Sequence, residues 1–182
     1  TSVSVGKPQV VYRETIEKTA EGLAVFDKEV AGQRHFGEVK LKISPLPRGN
    51  GNQFVAKLQN EEIPELFIPA IEAGITESLE SGVLMGYPVV DVEVVLIGGS
   101  FKESVGSELA FRVSASMACK TALSSGGSFL LDPIMGVELF VPEAFMGDVI
   151  GDLNARGGKI ESIAFAWLSL SQSIHPRPLY QA

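Results

Sequence analysis

The stretch YPVVDVEVVLIGGSFKESVGSELAF, residues 87–111, decides how the chain is read, because it passes from strand to loop to helix. Val90, Val92, Val94 and Leu96 alternate to one side of the strand. Asp91 and Glu93 fall on the other side, where a half-exposed strand meets solvent. Gly98 and Gly99 stop the apolar run, and a short polar segment led by Phe101 and Lys102 follows. Ser107 stands at an N-cap position before ELAFRVSASMACKTALSS, whose residues Ala110, Val113, Met117 and Thr121 share one side of a helix. Gly126 and Gly127 end that helix. A polar loop between a strand and a helix has three uses: an active-site loop, a phosphate cradle, or a tip that touches something large.

The same periodicities extend in both directions. IPAIEAGITESLESG predicts a helix with Ile68, Ile71, Ile75 and Leu79 on one face, Pro69 in its first turn and Gly82 at its exit. KPQVVYRETI, residues 7–16, predicts a strand with Val10 and Tyr12 on one face and Val11 and Arg13 on the other. EGLAVFDKEVAGQRHFGEVKLKI predicts a hairpin, with Val39, Leu41 and Ile43 facing in, Lys40 and Lys42 facing out, and a long turn over residues 28–37. PRGNGNQ, residues 47–53, is a glycine-rich connection. Downstream, LLDPIMGVELFV predicts a strand. PEAFMGDVIGDLNARGG predicts a helix with Phe145, Val149 and Leu153 in one stripe beside Met146 and Ile150, and KIESIAFAW begins a further strand. The final stretch LSLSQSIHPRPLY has no clear period, and Pro176 and Pro178 argue against a central strand. The break at Phe129–Leu131 is the expected boundary between a strand-rich unit with two helices and a βαβ unit. The fold class is α+β.

Composition excludes several functions. The chain has 182 residues, 45% of them hydrophobic, enough for one sizeable core or two small ones. It has no run of eighteen apolar residues, and TSVSVGKPQV lacks the charged-then-apolar pattern of a signal peptide. The single cysteine, Cys119, fits a reducing compartment, and the expected location is the cytoplasm. A net charge of −7 does not suit a domain that wraps nucleic acid, so any RNA contact must come from a local patch.

Searches for chemistry return little. Gly6-Lys7 and Gly158-Lys159 are not followed by Ser or Thr, so neither builds a P-loop. SSGGS, residues 124–128, follows a helix instead of opening one, as a phosphate loop must. His35, Cys119 and His175 form no metal-ligand cluster, and Cys119 reads as a buried packing residue. Asp91/Glu93 and Asp148/Asp152 read as solvated faces before acid/base pairs. No catalytic residue, cofactor site or metal site is therefore expected. Two exposed loops remain, residues 28–37 and 98–107, each with one or two cations and one aromatic. That mixture serves RNA when the cation meets phosphate and the aromatic stacks on a base. Ordinary solvated loops have the same composition.

Several stretches together carry a resemblance. GKPQVVYRETI, FIPAIEAGITESLESGVLMGYPVVDVEVVL, SELAF and PIMGVELFVPEAFMGDVIGDLNARGG resemble the C-terminal part of bacterial elongation factor G, from about Val5 to Ile163. GYPVVDV and PEAFMGDVIGDLNARGG are the most specific pieces. The resemblance implies a ribosomal protein S5 domain 2-like unit at residues 1–128, corresponding to the factor's fourth domain. The first half of a ferredoxin-like fifth domain follows at residues 129–163, a partial βαβ unit. Residues 164–182 are an unmatched tail. A half domain exposes a sheet edge and an apolar helix face, so self-association is a further expectation.

In this family the fourth domain reaches the decoding region of the small subunit while tRNA and mRNA move. The resemblance therefore implies a ribosome-contacting fragment that hydrolyses nothing itself, with GTP and magnesium held by an upstream GTPase domain. The implied partners are small-subunit rRNA, tRNA–mRNA and those upstream domains. Its contact set comprises Arg34, His35, Phe36, Ser100, Phe101 and Lys102. Family members usually show Ser-Tyr-His-Asp-Val-Asp-Ser-Ser in the second loop. Here Lys102 stands for the histidine and Val105 for an acid. The first loop usually reads Gly-Gly-Arg-Gly-Gln-Tyr-Gly, and here the arginine is displaced to Arg34. These departures fit a divergent second copy of the factor. The alternatives are a recycling or ribosome-protection factor of the same GTPase family, a free-standing ribosome-binding module, and a small-molecule kinase of S5-like fold.

Overall fold

The structure is a computed structural model and describes residues 11–58, 62–163 and 179–181. Its strands are β1 (Arg13–Ile16), β2 (Ala20–Val30), β3 (Gln33–Pro45), β4 (Gln53–Ala56), β5 (Val92–Ser100), β6 (Ser128–Ile134) and β7 (Leu179–Gln181). Its helices are α1 (Ile68–Ser81), α2 (Glu108–Ser125) and α3 (Met146–Ala155). Two sheets form, ordered β2-β3-β5-β4 and β1-β6-β7. The chain divides into two compact units, Thr1–Ile134 with Tyr180–Ala182, and Met135–Leu179. The α+β class is as expected.

In the first unit β2, β3 and β5 pair antiparallel and β4 joins β5 in parallel. Val39, Leu41 and Ile43 are buried, as are Val92, Val94 and Leu96, so the period-2 alternation of both strands marks the covered face. Ile71, Ile75 and Leu79 of α1 and Phe111, Ala115, Ala118 and Ala122 of α2 belong to the same core. Pro69 lies in the first turn of α1 and Gly82 at its C-cap. The Ser107 hydroxyl caps α2 by accepting from Ala110 N at 3.2 Å.

The structure corrects several expectations. The turn of the first hairpin is two residues long. The ladder runs to Val30 opposite Gln33, leaving only Ala31 and Gly32, both at positive φ, as a type I′ turn requires. The supposed long loop is therefore mostly paired strand. In α2 the buried stripe is Ala110, Phe111, Ser114, Ala115, Ala118, Cys119, Ala122 and Leu123, while Met117 and Thr121 are exposed. A helix covered by both a sheet and α1 buries a broader face, and small residues fill it. Asp91 is buried at 4% exposure, and its φ of 58° ends the extended run before β5 begins at Val92. Its carboxylate accepts from Gly49 N and Gly51 N at 3.1 and 2.9 Å and folds the 47–52 connection over it. Strand β4 has no signature in the sequence, because four residues after a glycine-rich stretch carry no period.

β1 is shorter than expected: Val11 and Tyr12 precede it, and residues 7–10 lie outside the described residues. β6 ends at Ile134 rather than continuing to residue 141, and β6 pairs antiparallel with β1. Residues 159–163 form no strand, and the rest of that expected strand lies outside the described residues. β7 occupies a sheet edge, and Pro176 and Pro178 lie outside the described residues. In the second unit Met146, Val149, Ile150 and Leu153 are half-buried on α3, and Phe145 is exposed just before it.

Candidate functional site

The two-residue turn sets the register of everything near it. Alternation along β3 puts Arg34 and Phe36 on one side and His35 on the other. Cross-strand partners are Arg34 with Glu29, His35 with Lys28, and Phe36 with Asp27. Arg34 reaches diagonally to Asp27: Nε donates to Oδ1 and Nη2 to Oδ2, each at 2.7 Å. The Arg34 hydrogen bond, aided by the charges of Arg34 and Lys102, holds the Asp27 carboxyl below its ordinary range. The same bond pushes the Arg34 guanidinium up.

The second loop closes against this hairpin. β5 runs on through Gly98, Gly99 and Ser100, with Ser100 opposite Glu38, so the loop proper is residues 101–107. Phe36 N donates to Val105 O at 2.7 Å, and Phe36 bridges to Gly106. His35 Nδ1 lies 2.8 Å from Ser107 Oγ, which joins the hairpin to the N-cap of α2. The Lys102 ammonium sits 3.9 Å from the centre of the Phe36 ring, a close cation–π contact. The Lys102 carbonyl accepts from Val105 N and Gly106 N and folds the loop back on itself.

All six expected residues therefore come together at one end of the sheet, in two roles. Arg34 and Lys102 are exposed. Phe36 is 6% exposed. Phe101 is half-buried, with its ring centre 5.5 Å from Phe67 and 6.4 Å from Phe111. Ser100 and His35 are half-buried. The expectation that each loop offers a free aromatic is thus corrected. Phe101 packs against the core, and Phe36 is covered on the other face of the sheet, under Lys102, because burying an aromatic side chain contributes more than exposing it. Sequence reasoning missed Asp27. The signal was the Ala31-Gly32 turn, since a two-residue turn there places Asp27 one diagonal step from Arg34. The tip has no net charge: Lys28, Arg34 and Lys102 balance Asp27, Glu29 and Glu103.

Other titratable groups with shifted pKa values have structural causes. Glu14 is fully buried, and its carboxylate accepts from the backbone N–H groups of Val83, Leu84, Met85 and Tyr87 at 2.8–3.1 Å. Burial alone would raise its pKa, but those four donors hold it below the ordinary range. Cys119 is buried in α2, and desolvation pushes its thiol up to about 12, so it is a packing residue and no nucleophile. Asp152 pairs with Arg156 at 2.8 Å on the exposed side of α3. Glu77 and Arg112 join α1 to α2 at the surface. Among the described residues no group of three or more His, Cys, Asp and Glu side chains is placed to hold a metal ion, and no helix is long and apolar enough to cross a membrane.

Comparison with known proteins bears on this geometry. The family model described as elongation factor G, domain IV, matches residues 8–127. Elongation factor G 2 of Syntrophomonas wolfei subsp. wolfei is 46% identical over 159 residues, 87% of this chain and 23% of that protein. Elongation factor G of Aquifex pyrophilus is 48% identical over 158 residues, again 87% and 23%. A crystal structure of a protein from Thermus thermophilus superposes with a TM-score of 0.77 at 34% identity, covering 95% of this chain and 25% of that one. The chain spans about a quarter of the length of these proteins.

Proposed function

The chain belongs to the elongation factor G family, in the region of its domain IV, and from that premise we propose that it is the ribosome-contacting part of a translocation factor. Residues 1–128 act as the domain IV-like unit, residues 129–163 as the first half of a domain V-like unit, and residues 164–182 as an unmatched tail. In the full-length factor the end carrying Arg34 and Lys102 enters the decoding region and meets small-subunit rRNA or tRNA–mRNA. GTP and magnesium bind in an upstream domain, and the work is done in the cytoplasm. This part breaks no bond. It acts by shape and by charge.

One observation carries the reading: two cations from separate segments, Arg34 and Lys102, both act on Asp27 at a braced end. Arg34 comes from the hairpin and Lys102 from the 101–107 loop. The Phe36–Val105 hydrogen bond and the His35–Ser107 contact tie the two loops together. A braced tip can push without folding back. Cations at such a point meet phosphates and position the protein without reading sequence. Of the other residues of the expected set, Phe36 lies under Lys102, His35 ties the hairpin to Ser107, and Phe101 packs against the core; Ser100 ends β5 beside them.

The test is charge reversal in the full-length factor. Arg34→Glu with Lys102→Glu slows translocation by about tenfold, roughly threefold for each lost phosphate contact, and leaves GTP binding intact. Unchanged translocation would remove the tip assignment. Lys102 in place of the family's histidine supports a second reading, a parent that recycles or protects ribosomes. A ribosome-splitting assay on the same variant separates the two, because only a recycling factor loses splitting when its tip is reversed.

A further inference from the structure

An acid sits where an RNA-contacting surface has least use for one. The Nε and Nη2 donors of arginine form a fork that takes two oxygens of a phosphate as readily as two of a carboxylate. In Arg34 both donors are held by Asp27, at 2.7 Å each. Asp27 lies directly across the ladder from Phe36, and Lys102 stands over the Phe36 ring. The carboxylate is therefore flanked by both tip cations. The arrangement is open to solvent, with the Arg34 side chain 61% and the Asp27 side chain 33% exposed. Exposed pairs of this kind add little to a fold, because water screens them and two side chains must be ordered. A competing anion can exchange for the carboxylate without disturbing the hairpin, whose ladder stands on backbone hydrogen bonds.

Resting on the reading of this end as the RNA-contacting tip, we propose that Asp27 is a built-in stand-in for phosphate. It closes an anion seat between Arg34 and Lys102 until an RNA backbone phosphate displaces it. The seat then discriminates by phosphate density. An isolated strand gains little by displacing an acid already in place. A folded RNA that presents several phosphates to the tip at once displaces it readily. This suits a protein whose net charge of −7 already repels RNA in bulk.

The test uses the 182-residue chain and a labelled oligouridine, with binding read by fluorescence anisotropy between about 50 and 200 mM salt. Asp27→Asn keeps the shape and removes the charge. Its affinity for the oligouridine rises about threefold, and its plot of log affinity against log salt steepens by about 0.7, the signature of one added phosphate contact on a single strand. Asp27→Asn with Arg34→Gln returns to the wild-type affinity or falls below it. Asp27→Ser repeats the gain with a smaller side chain if the asparagine variant folds poorly by circular dichroism. Two results overturn the proposal: no gain in either folded Asp27 variant, or a gain that survives Arg34→Gln and so reflects net charge alone. The translocation assay reports separately on the tip. Slowed translocation by the charge-reversed factor with no gain at Asp27 removes the stand-in and keeps the tip. Unchanged translocation removes the tip itself.

Discussion

Glu14 is the residue on which the end of the first unit opposite the tip depends most. Its two carboxylate oxygens each take two backbone N–H groups from the loop that follows α1, and the side chain has no exposed surface. Four donors converging on one point need an anion with acceptor capacity on both oxygens. Glu14→Gln keeps the size but turns an amide NH2 toward two of the donors. That substitution lowers stability by about 2–4 kcal/mol, through lost charged hydrogen bonds and two stranded N–H groups. Urea unfolding of the variant checks this, and a loss within error would show that the loop holds without the carboxylate. The neighbouring Asp91 plays a similar part toward Gly49 and Gly51. Its alternation with Glu93 suggested solvent. Nothing local in the sequence marks a positive φ at an aspartate, so its burial became visible only in the fold.

At the scale of elements, helix α2 on strands β2 and β3 is the contact that sets the shape of the unit. Gly22 of β2 lies beneath the α2 backbone. A Cβ there would stand 2.9 Å from Ala122 N and closer still to the Ala118 carbonyl oxygen. Both are backbone atoms and cannot rotate away. Gly22→Ala therefore pushes the helix off the sheet and destabilises the chain by about 2–3 kcal/mol. The unfolding midpoint in urea reports it, and an unchanged midpoint would mean that helix and sheet slide to make room. Much of this layer was legible beforehand. The Ile71–Ile75–Leu79 stripe, the Ser107 cap and the alternation of Val39, Leu41 and Ile43 all have strong local signals. The covered face of α2 is not marked in the sequence, because small residues such as Ala115, Ala118 and Ala122 carry weak hydropathy, and what buries them is the close approach of strands distant in sequence. The hairpin turn is equally unmarked. Ala31-Gly32 is a less familiar type I′ pair than Asn-Gly, and its polar flanks resemble a loop until the ladder is formed.

For the whole molecule, charge and pH decide behaviour. The net charge of −7 leaves a general repulsion toward polyanions. The pH dependence follows from Glu14. Its folded pKa lies below the ordinary value of 4.5, so the stability it contributes is fully present above that value and is lost as pH falls through the folded value. Asp27 and Glu77 are shifted in the same direction, but their arginine partners are exposed and solvent screens the effect. The thermal midpoint is expected to be level from about pH 7 to 5 and to fall below about pH 4.5, with a smaller fall in Glu14→Gln. Equal slopes in the two proteins would assign the acid sensitivity elsewhere. The sequence by itself determined the α+β class, the principal helices, the antiparallel hairpin and the family, because each rests on residues close together along the chain or on long matching stretches. Only the tertiary structure decided that Phe36 and Phe101 are covered, that Asp27 holds Arg34, and that Glu14 and Asp91 are buried anchors. Each of those depends on partners brought together by the register of a ladder or the packing of a helix, and local pattern carries no record of such long-range pairing.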